Sequence, residues 1–171
     1  MCVSKCTVSI SRNQFLGSLM PLSAPPSMER EHEEIWQLLV EVQHLSGKTG
    51  SIAEKLAKDL KIHIDKEESL ALPLLGILRD IADGKLKNGV ARRASLLGSR
   101  FEKEYPGMLH GHKELLKFLE RLKKVGAGEG HLTAVRFAEA LEAHSKQEEE
   151  VLYPAAIVAG QMASKRSRSK R

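Results

Sequence analysis

Residues 144–154 read HSKQEEEVLYP, and residues 63–73, which begin 81 positions earlier, read HIDKEESLALP. Both stretches have a His, a Glu four residues later, a second Glu beside it, and a Pro ten residues after the His. This spacing places the His and the first Glu one turn apart on the same face of a helix. The repeat therefore predicts two helices that present the same pair of side chains.

An apolar stripe precedes each His and Glu pair on the same helical face. Steps of 4, 3 and 4 residues join its members, which are Leu56, Leu60, His63 and Glu67 in the first copy and Phe137, Leu141, His144 and Glu148 in the second. An apolar stripe faces a core, so we expect each His and Glu to be buried. A buried carboxylate costs several kcal/mol unless it is paired or bound to a cation. The two pairs therefore indicate a metal ion.

Two further histidines complete the repeat. His32 begins a stripe of Ile35, Leu39 and Val42, and His112, 80 residues later, begins one of Leu115, Leu119 and Leu122. The chain is therefore predicted to be an all-α, duplicated helical hairpin. Its four helices would direct six side chains inward as metal ligands: His32, His63, Glu67, His112, His144 and Glu148.

Composition and charge fit one helical domain over residues 28–162. A hydrophobic content of 42% is ordinary for a globular protein of 171 residues, and an aromatic content of only 4% favours helix over sheet. The net charge of +5 comes from the ends, because residues 165–171 carry five positive charges. Residues 163–171 are predicted to be a disordered basic tail, for which contact with nucleic acid or an anionic membrane stays open.

Residues 1–27 contain no acidic residue and are predicted to be a flexible leader. Their apolar run is too short for a signal peptide, and no stretch of the chain approaches the roughly 20 apolar residues of a membrane span. We therefore expect a cytoplasmic protein. Cys2 and Cys6, the only cysteines, lie in this leader and are interpreted as reduced thiols rather than as a disulfide framework.

Turn and capping residues predict the limits of the first half. The first helix is expected to start after the N-cap Ser27 and to stop near Gly47. Residues 47–50 read as a turn, and residues 51–54 as a capping box that opens the second helix. This helix should end near Pro73, with a further turn or two over residues 74–83.

The second half is expected to be less regular. A third helix over residues 90–105 should be interrupted by Pro106 and Gly107 and resume over 108–124. Residues 126–130 read as a flexible turn. A fourth helix over residues 132–152 should be broken by Pro154, with residues 155–162 as a possible extension.

With its two His-x-x-x-Glu pairs and two upstream His at matched spacing, the chain resembles the hemerythrin-like, or HHE cation-binding, domain over residues 28–160. The resemblance implies an up-down-up-down four-helix bundle whose core binds two non-haem irons bridged by carboxylates. Carried over, the six residues above would be the ligands, with Glu67 and Glu148 bridging. Glu68 and Glu149 would face solvent or support the ligands from outside.

The sequence departs from the oxygen-carrying hemerythrins at two positions. Those proteins have an extra His where Met108 stands, and His110 lies on roughly the opposite side of a regular helix. They also place the last carboxylate five residues after its His, at Glu149, whereas the repeat favours Glu148. Both departures disfavour reversible oxygen storage.

The donor set suits iron, and also manganese or zinc. The leading functional interpretation is a di-iron domain that senses, stores or buffers iron, dioxygen or nitric oxide, without a requirement for turnover. One alternative is a di-metal oxidase or peroxidase; another is an interaction module with a structural metal. His44 and His131 lie on no ligand stripe and are interpreted as surface or capping residues.

Overall fold

The computed structural model describes residues 22–168, and all regular structure in that range is helical. This confirms the predicted all-α class. The elements in chain order are α1 (Pro26–Gln43), α2 (Gly47–Leu70), α3 (Leu72–Leu75), α4 (Leu78–Ala82), α5 (Asn88–Gly128), α6 (Leu132–Gln147), a π-helical turn (Glu148–Leu152) and α7 (Tyr153–Arg168). None of the helices in this range is both long and apolar enough to cross a membrane.

The apolar stripes pack into two cores. The first, here called the α6 core, is formed by α1, α2, α5 and α6 and includes Leu39, Leu56, Leu119 and Leu141. The second, the α7 core, is formed by the end of α2 with α3, α5 and α7 and includes Leu74, Phe101, Met108 and Tyr153. On α5, His112 lies between Met108 of one core and Leu115 of the other. The predicted ligands therefore occupy a polar layer between two apolar ones.

Helix α1 begins earlier than predicted. Pro25, not Ser27, is the N-cap, and Pro26 occupies the first helical position, where its missing N–H leaves no hydrogen bond unmade. Before it, Ala24 is buried in the α7 core. Residues 26 and 27 of the predicted leader therefore belong to α1, while residues 1–21, with both cysteines, lie outside the described residues.

Helix α2 also begins earlier, at Gly47, so the predicted turn at 47–50 and the capping box at 51–54 are wrong. The carboxylate of Glu129, at the end of α5, accepts hydrogen bonds from Lys48 N (2.9 Å), Thr49 N (3.0 Å) and Thr49 Oγ1 (2.7 Å). These bonds lower the pKa of the Glu129 carboxyl to about 2, and the bond from the Thr49 hydroxyl contributes most to this shift. Glu129, which is distant in the sequence, therefore caps the N-terminus of α2 in place of a neighbouring side chain.

Helix α5 is continuous through Pro106 and Gly107, where an interruption was predicted. Pro106 is exposed, so water can reach the carbonyl of Glu102, which loses its helical partner there. The turn predicted at 126–130 is shorter than expected, because α5 continues to Gly128. The chain then reverses direction at Gly130, whose φ is +79°. The short helices α3 and α4 occupy the predicted extra turns and end before Gly84, whose φ is +69°.

Pro154 does not end the last helix, contrary to prediction. The chain instead forms the π-helical turn just before it, in which Tyr153 N–H donates to the carbonyl of Glu148, five residues back. Helix α7 then continues to Arg168 and buries Ala163. Residues 163–168 of the predicted tail therefore belong to α7, and residues 169–171 lie outside the described residues.

Two glycines let α5 and α7 approach closely. A Cβ atom on Gly98 would lie 2.7 Å from the Cα of Gly160, closer than real Cβ contacts allow. The contact brings backbone against backbone, so a side chain at either position would separate the helices. This close packing positions Tyr153, at the start of α7, beside the polar layer.

Candidate metal centre

All six predicted ligands are buried, and none is more than 7% exposed. Their burial follows from the helical stripes that the sequence predicts, since each His or Glu continues an apolar face. They lie on α1, α2, α5, α6 and the π-helical turn. The structure brings them together as two clusters that could each hold a metal ion.

The first cluster consists of His63, Glu67, His112 and Glu148, whose donor atoms all lie within 4.8 Å of one another. His63 Nε2 is 3.4 Å from Glu67 Oε1, and His112 Nε2 is 3.2 Å from Glu148 Oε2. This cluster combines one residue pair from each half of the duplicated sequence. Its donors are two imidazole nitrogens and two carboxylates.

The second cluster consists of His32, His144 and Glu148. Glu148 Oε1 lies 2.9 Å from His144 Nε2 and 3.7 Å from His32 Nε2. The second oxygen of Glu67, Oε2, is 3.6 Å from His32 Nε2. Glu67 and Glu148 therefore each direct one oxygen toward each cluster, which is the arrangement of a bridging carboxylate.

Three of the four imidazoles are oriented by a carboxylate outside the clusters. His32 Nδ1 lies 3.2 Å from Glu68, His112 Nδ1 2.9 Å from Glu149, and His144 Nδ1 3.0 Å from Glu31. When Nδ1–H donates to the carboxylate, Nε2 carries a lone pair directed inward, as in metal-binding histidines. Glu149 supports His112 from outside, and Glu148 lies in the clusters.

Two donor atoms between the cores, His32 Nε2 and Glu148 Oε1, are buried and make no hydrogen bond to any described residue. Oε1 approaches His144 Nε2 without the geometry of a hydrogen bond. Buried polar atoms are rarely left in this state, because the desolvation cost is not recovered. Lone pairs that converge without hydrogen bonds fit a cation, so the residues present suit a metal.

The clusters bind protons strongly in the absence of a cation. Burial lowers the pKa of His32, but Glu148, Glu68 and Glu67 outweigh burial and raise it to about 10. Burial is likewise outweighed at His112 and His144, whose pKa values are raised, mainly by Glu148. A metal ion would therefore displace protons from these imidazoles, which makes its binding dependent on pH.

The pKa values of the two carboxylates are shifted in opposite directions. Burial raises the pKa of Glu148, yet the neighbouring imidazoles of His112, His144 and His32 outweigh burial and lower it well below its usual range. The pKa of Glu67 is raised, because burial and the charge of Glu148 outweigh the attraction of His63. A divalent or trivalent cation would let both carboxylates ionise.

Tyr153 is a member of the site that the sequence did not predict. Its hydroxyl donates to Glu67 Oε1 and lies 3.2 Å from His112 Nε2 and 3.3 Å from His63 Nε2. Its ring stacks on His112 with a centroid distance of 5.5 Å. Burial, together with the charges of Glu67 and Glu148, raises its pKa. The sequence signal for this role was a tyrosine in the apolar run before Pro154, at the position that Leu72 takes in the first copy of the repeat.

The π-helical turn places Tyr153 there. In a regular α-helix, residues i and i+5 lie on different faces, whereas the i→i+5 hydrogen bond of a π turn returns residue i+5 toward the face of residue i. Tyr153 is five residues after Glu148, so both side chains enter the same layer.

The other histidines lie outside the centre. His110 is exposed, and Met108 is buried in the α7 core, so neither supplies a further ligand. His44 Nδ1 bonds the carbonyl of Val40 at 2.7 Å, and His131 Nε2 bonds that of Ser46 at 3.2 Å. The prediction that His44 and His131 are surface or capping residues is confirmed.

Comparison of the chain with protein-family models, with curated proteins and with solved structures found no match.

Proposed function

We propose that this protein binds two iron ions between its two apolar cores, as a hemerythrin-like up-down-up-down bundle. The observation that carries the proposal is the sharing of Glu148 between two buried clusters of His and Glu. One carboxylate that serves two sets of imidazoles, with Glu67 placed in the same way, supports a dinuclear centre rather than two separate sites.

The donors support iron. Each cluster offers two imidazole nitrogens and carboxylate oxygens, a mixed set that also suits manganese or zinc. With both carboxylates shared, each ion has fewer than six protein donors. Open positions then remain for water or for a small molecule such as dioxygen or nitric oxide. We propose that the protein senses, stores or buffers iron or one of these molecules.

Tyr153 gives specific support to a second function, that of a di-metal oxidase or peroxidase. Its phenol can be oxidised, and it touches a carboxylate of the centre. Consumption of peroxide by the iron-loaded protein, and its loss in Tyr153→Phe, would distinguish this function from binding alone.

Protein purified with iron is expected to contain two iron ions per chain, because the two clusters are built from equivalent residues of the duplicated sequence. Elemental analysis measures the ratio, and an oxo-bridged ferric pair absorbs characteristically in the near ultraviolet. The exposed His44→Ala serves as the control and should retain both ions. One ion per chain, bound by one cluster alone, contradicts the dinuclear proposal.

Tyr153→Phe should still bind two ions but bind the ion of the first cluster more weakly, by about 10–100-fold, the usual cost of losing a hydrogen bond to a ligand. The reason is that Phe leaves the buried oxygen of Glu67 without its donor. Competitive titration against a chelator measures the two affinities. Tyr105→Phe, which changes a half-buried hydroxyl on α5 outside the clusters, is the matched control. Unchanged affinity in Tyr153→Phe would exclude this role.

A further inference from the structure

The four imidazoles of the centre are not supported equally. Glu68, Glu149 and Glu31 accept hydrogen bonds from three of them, whereas Nδ1 of His63 makes none to any described residue. His63 also borders a cleft of about 310 Å³ on the surface. It is therefore the one histidine of the centre whose outer nitrogen faces a cleft rather than a carboxylate.

The duplicated sequence explains the difference. Glu31, which precedes His32, supports His144. At the offset of 80 residues that relates His32 to His112, the equivalent of Glu31 is Gly111. A Cβ atom on Gly111 would lie 3.0 Å from His63 Nδ1. Gly111 therefore stands beside His63 as Glu31 stands beside His144, but without a carboxylate.

The missing side chain opens the cleft. Gly111 and Gly107, one turn apart on α5, line it opposite Lys66 and His63 of α2. At the equivalent place in the other half, Glu31 bonds His144 Nδ1 from outside. Imidazoles that donate to an outer carboxylate are fixed in orientation and bind metal more tightly. His63 lacks both the outer hydrogen bond that would fix its ring and the carboxylate that would cover it.

We propose that Gly111 makes the two metal positions unequal, so that His63 is the exchangeable ligand and the cleft over it is the route by which a ferrous ion enters and leaves. This inference rests on the proposed binding of two iron ions. The ion beside His63 should leave first, through the cleft, while the ion held by His32 and His144 stays longer.

Release of iron to a coloured ferrous chelator, under anaerobic conditions, tests the inference with the full chain. Wild-type protein loaded with two ferrous ions should release one ion quickly and one slowly. Gly111→Glu restores the carboxylate found in the other half once the His63 ring moves by a few tenths of an ångström to admit the new Cβ atom. It should then slow the fast phase about 10–100-fold, the usual effect of such an outer partner. Glu31→Gly, the reciprocal change, should accelerate the slow phase.

Gly89→Glu is the control, because it adds the same charge to α5 outside the cleft, at a position where a Cβ atom meets nothing within 4 Å. It should leave both phases unchanged. Release of both ions at one rate by wild type, or equal effects of Gly89→Glu and Gly111→Glu, overturns the inference. If Gly111→Glu fails to fold, Glu31→Gly decides: an unchanged slow phase overturns the inference. Failure of the proposed function differs from these outcomes, since wild type would then not load with two ions at all.

Discussion

Replacing Glu148 by alanine will remove both metal ions, lowering the metal content from two per chain toward zero. Its Oε2 lies 3.2 Å from His112 Nε2 in the first cluster, and its Oε1 lies 2.9 Å from His144 Nε2 in the second. Glu148 is a member of both clusters. Elemental analysis of the purified variant measures the loss, and circular dichroism checks that the helices are retained.

The neighbouring glutamates provide matched controls for Glu148→Ala. Glu149→Ala removes only the outer hydrogen bond to His112 and should weaken binding about 10–100-fold while both ions remain at saturation. Glu150, exposed and paired with Lys146, should be neutral when replaced. If Glu149→Ala empties the centre and Glu148→Ala does not, the spacing of the oxygen carriers applies and the proposed bridge is wrong.

Removing the metal will lower the melting temperature strongly. A ligand that binds only the folded state stabilises it by about 2.7 kcal/mol at a hundredfold excess over its dissociation constant, and by more when it binds more tightly. A domain of this size has only about 5–15 kcal/mol of total stability. Chelator-treated protein should therefore melt well below metal-loaded protein at neutral pH. Equal melting temperatures would show that these residues are not a core metal site.

The difference in melting temperature should grow as the pH rises. In metal-free protein, the pKa of His32 is raised from 6.5 to about 10, so its stabilising effect is complete below pH 6.5 and is lost as the pH rises through about 10. The raised pKa of Glu67 acts in the same direction. In loaded protein, acid releases the metal, because a ligand imidazole must be neutral.

Melting curves from about pH 5 to about pH 10, with and without metal, measure these two effects. The metal-free protein should lose stability with rising pH, and the difference should close on acidification. The double variant His63→Ala with His144→Ala is the control. It removes one imidazole from each cluster, so the effect of metal on its melting temperature should be much smaller. A difference that does not change with pH would contradict the assigned proton-binding groups.

Spacing alone determined that the six predicted ligands enter the polar layer. Steps of three and four residues place His63 with Glu67, and His144 with Glu148, on the apolar face of their helices, whatever the helices pack against. The duplication then indicated that His32 and His112 are ligands rather than isolated histidines. The face on which a residue lies is a local property of a helix, so the sequence by itself was enough to predict it. The predicted burial of the ligands is confirmed.

Helix ends were harder to predict, because their partners are distant in the chain. The cap of α2 is Glu129, some 80 residues away, and no local signal at residues 47–50 indicates it. At Pro154 the rule that proline stops a helix did not hold, since the chain accommodates it with a π-helical turn. That turn cannot be read from the periodicity on either side.

Only the tertiary structure decided how the two halves combine. It pairs His63 with His112 and His32 with His144, each across the duplication, and it brings Tyr153 beside the first pair. It also sets Gly111 against His63, in the place that Glu31 takes beside His144. The spacing within a helix fixes the face of a residue, but the residue it meets depends on the packing of another helix, which the spacing does not contain.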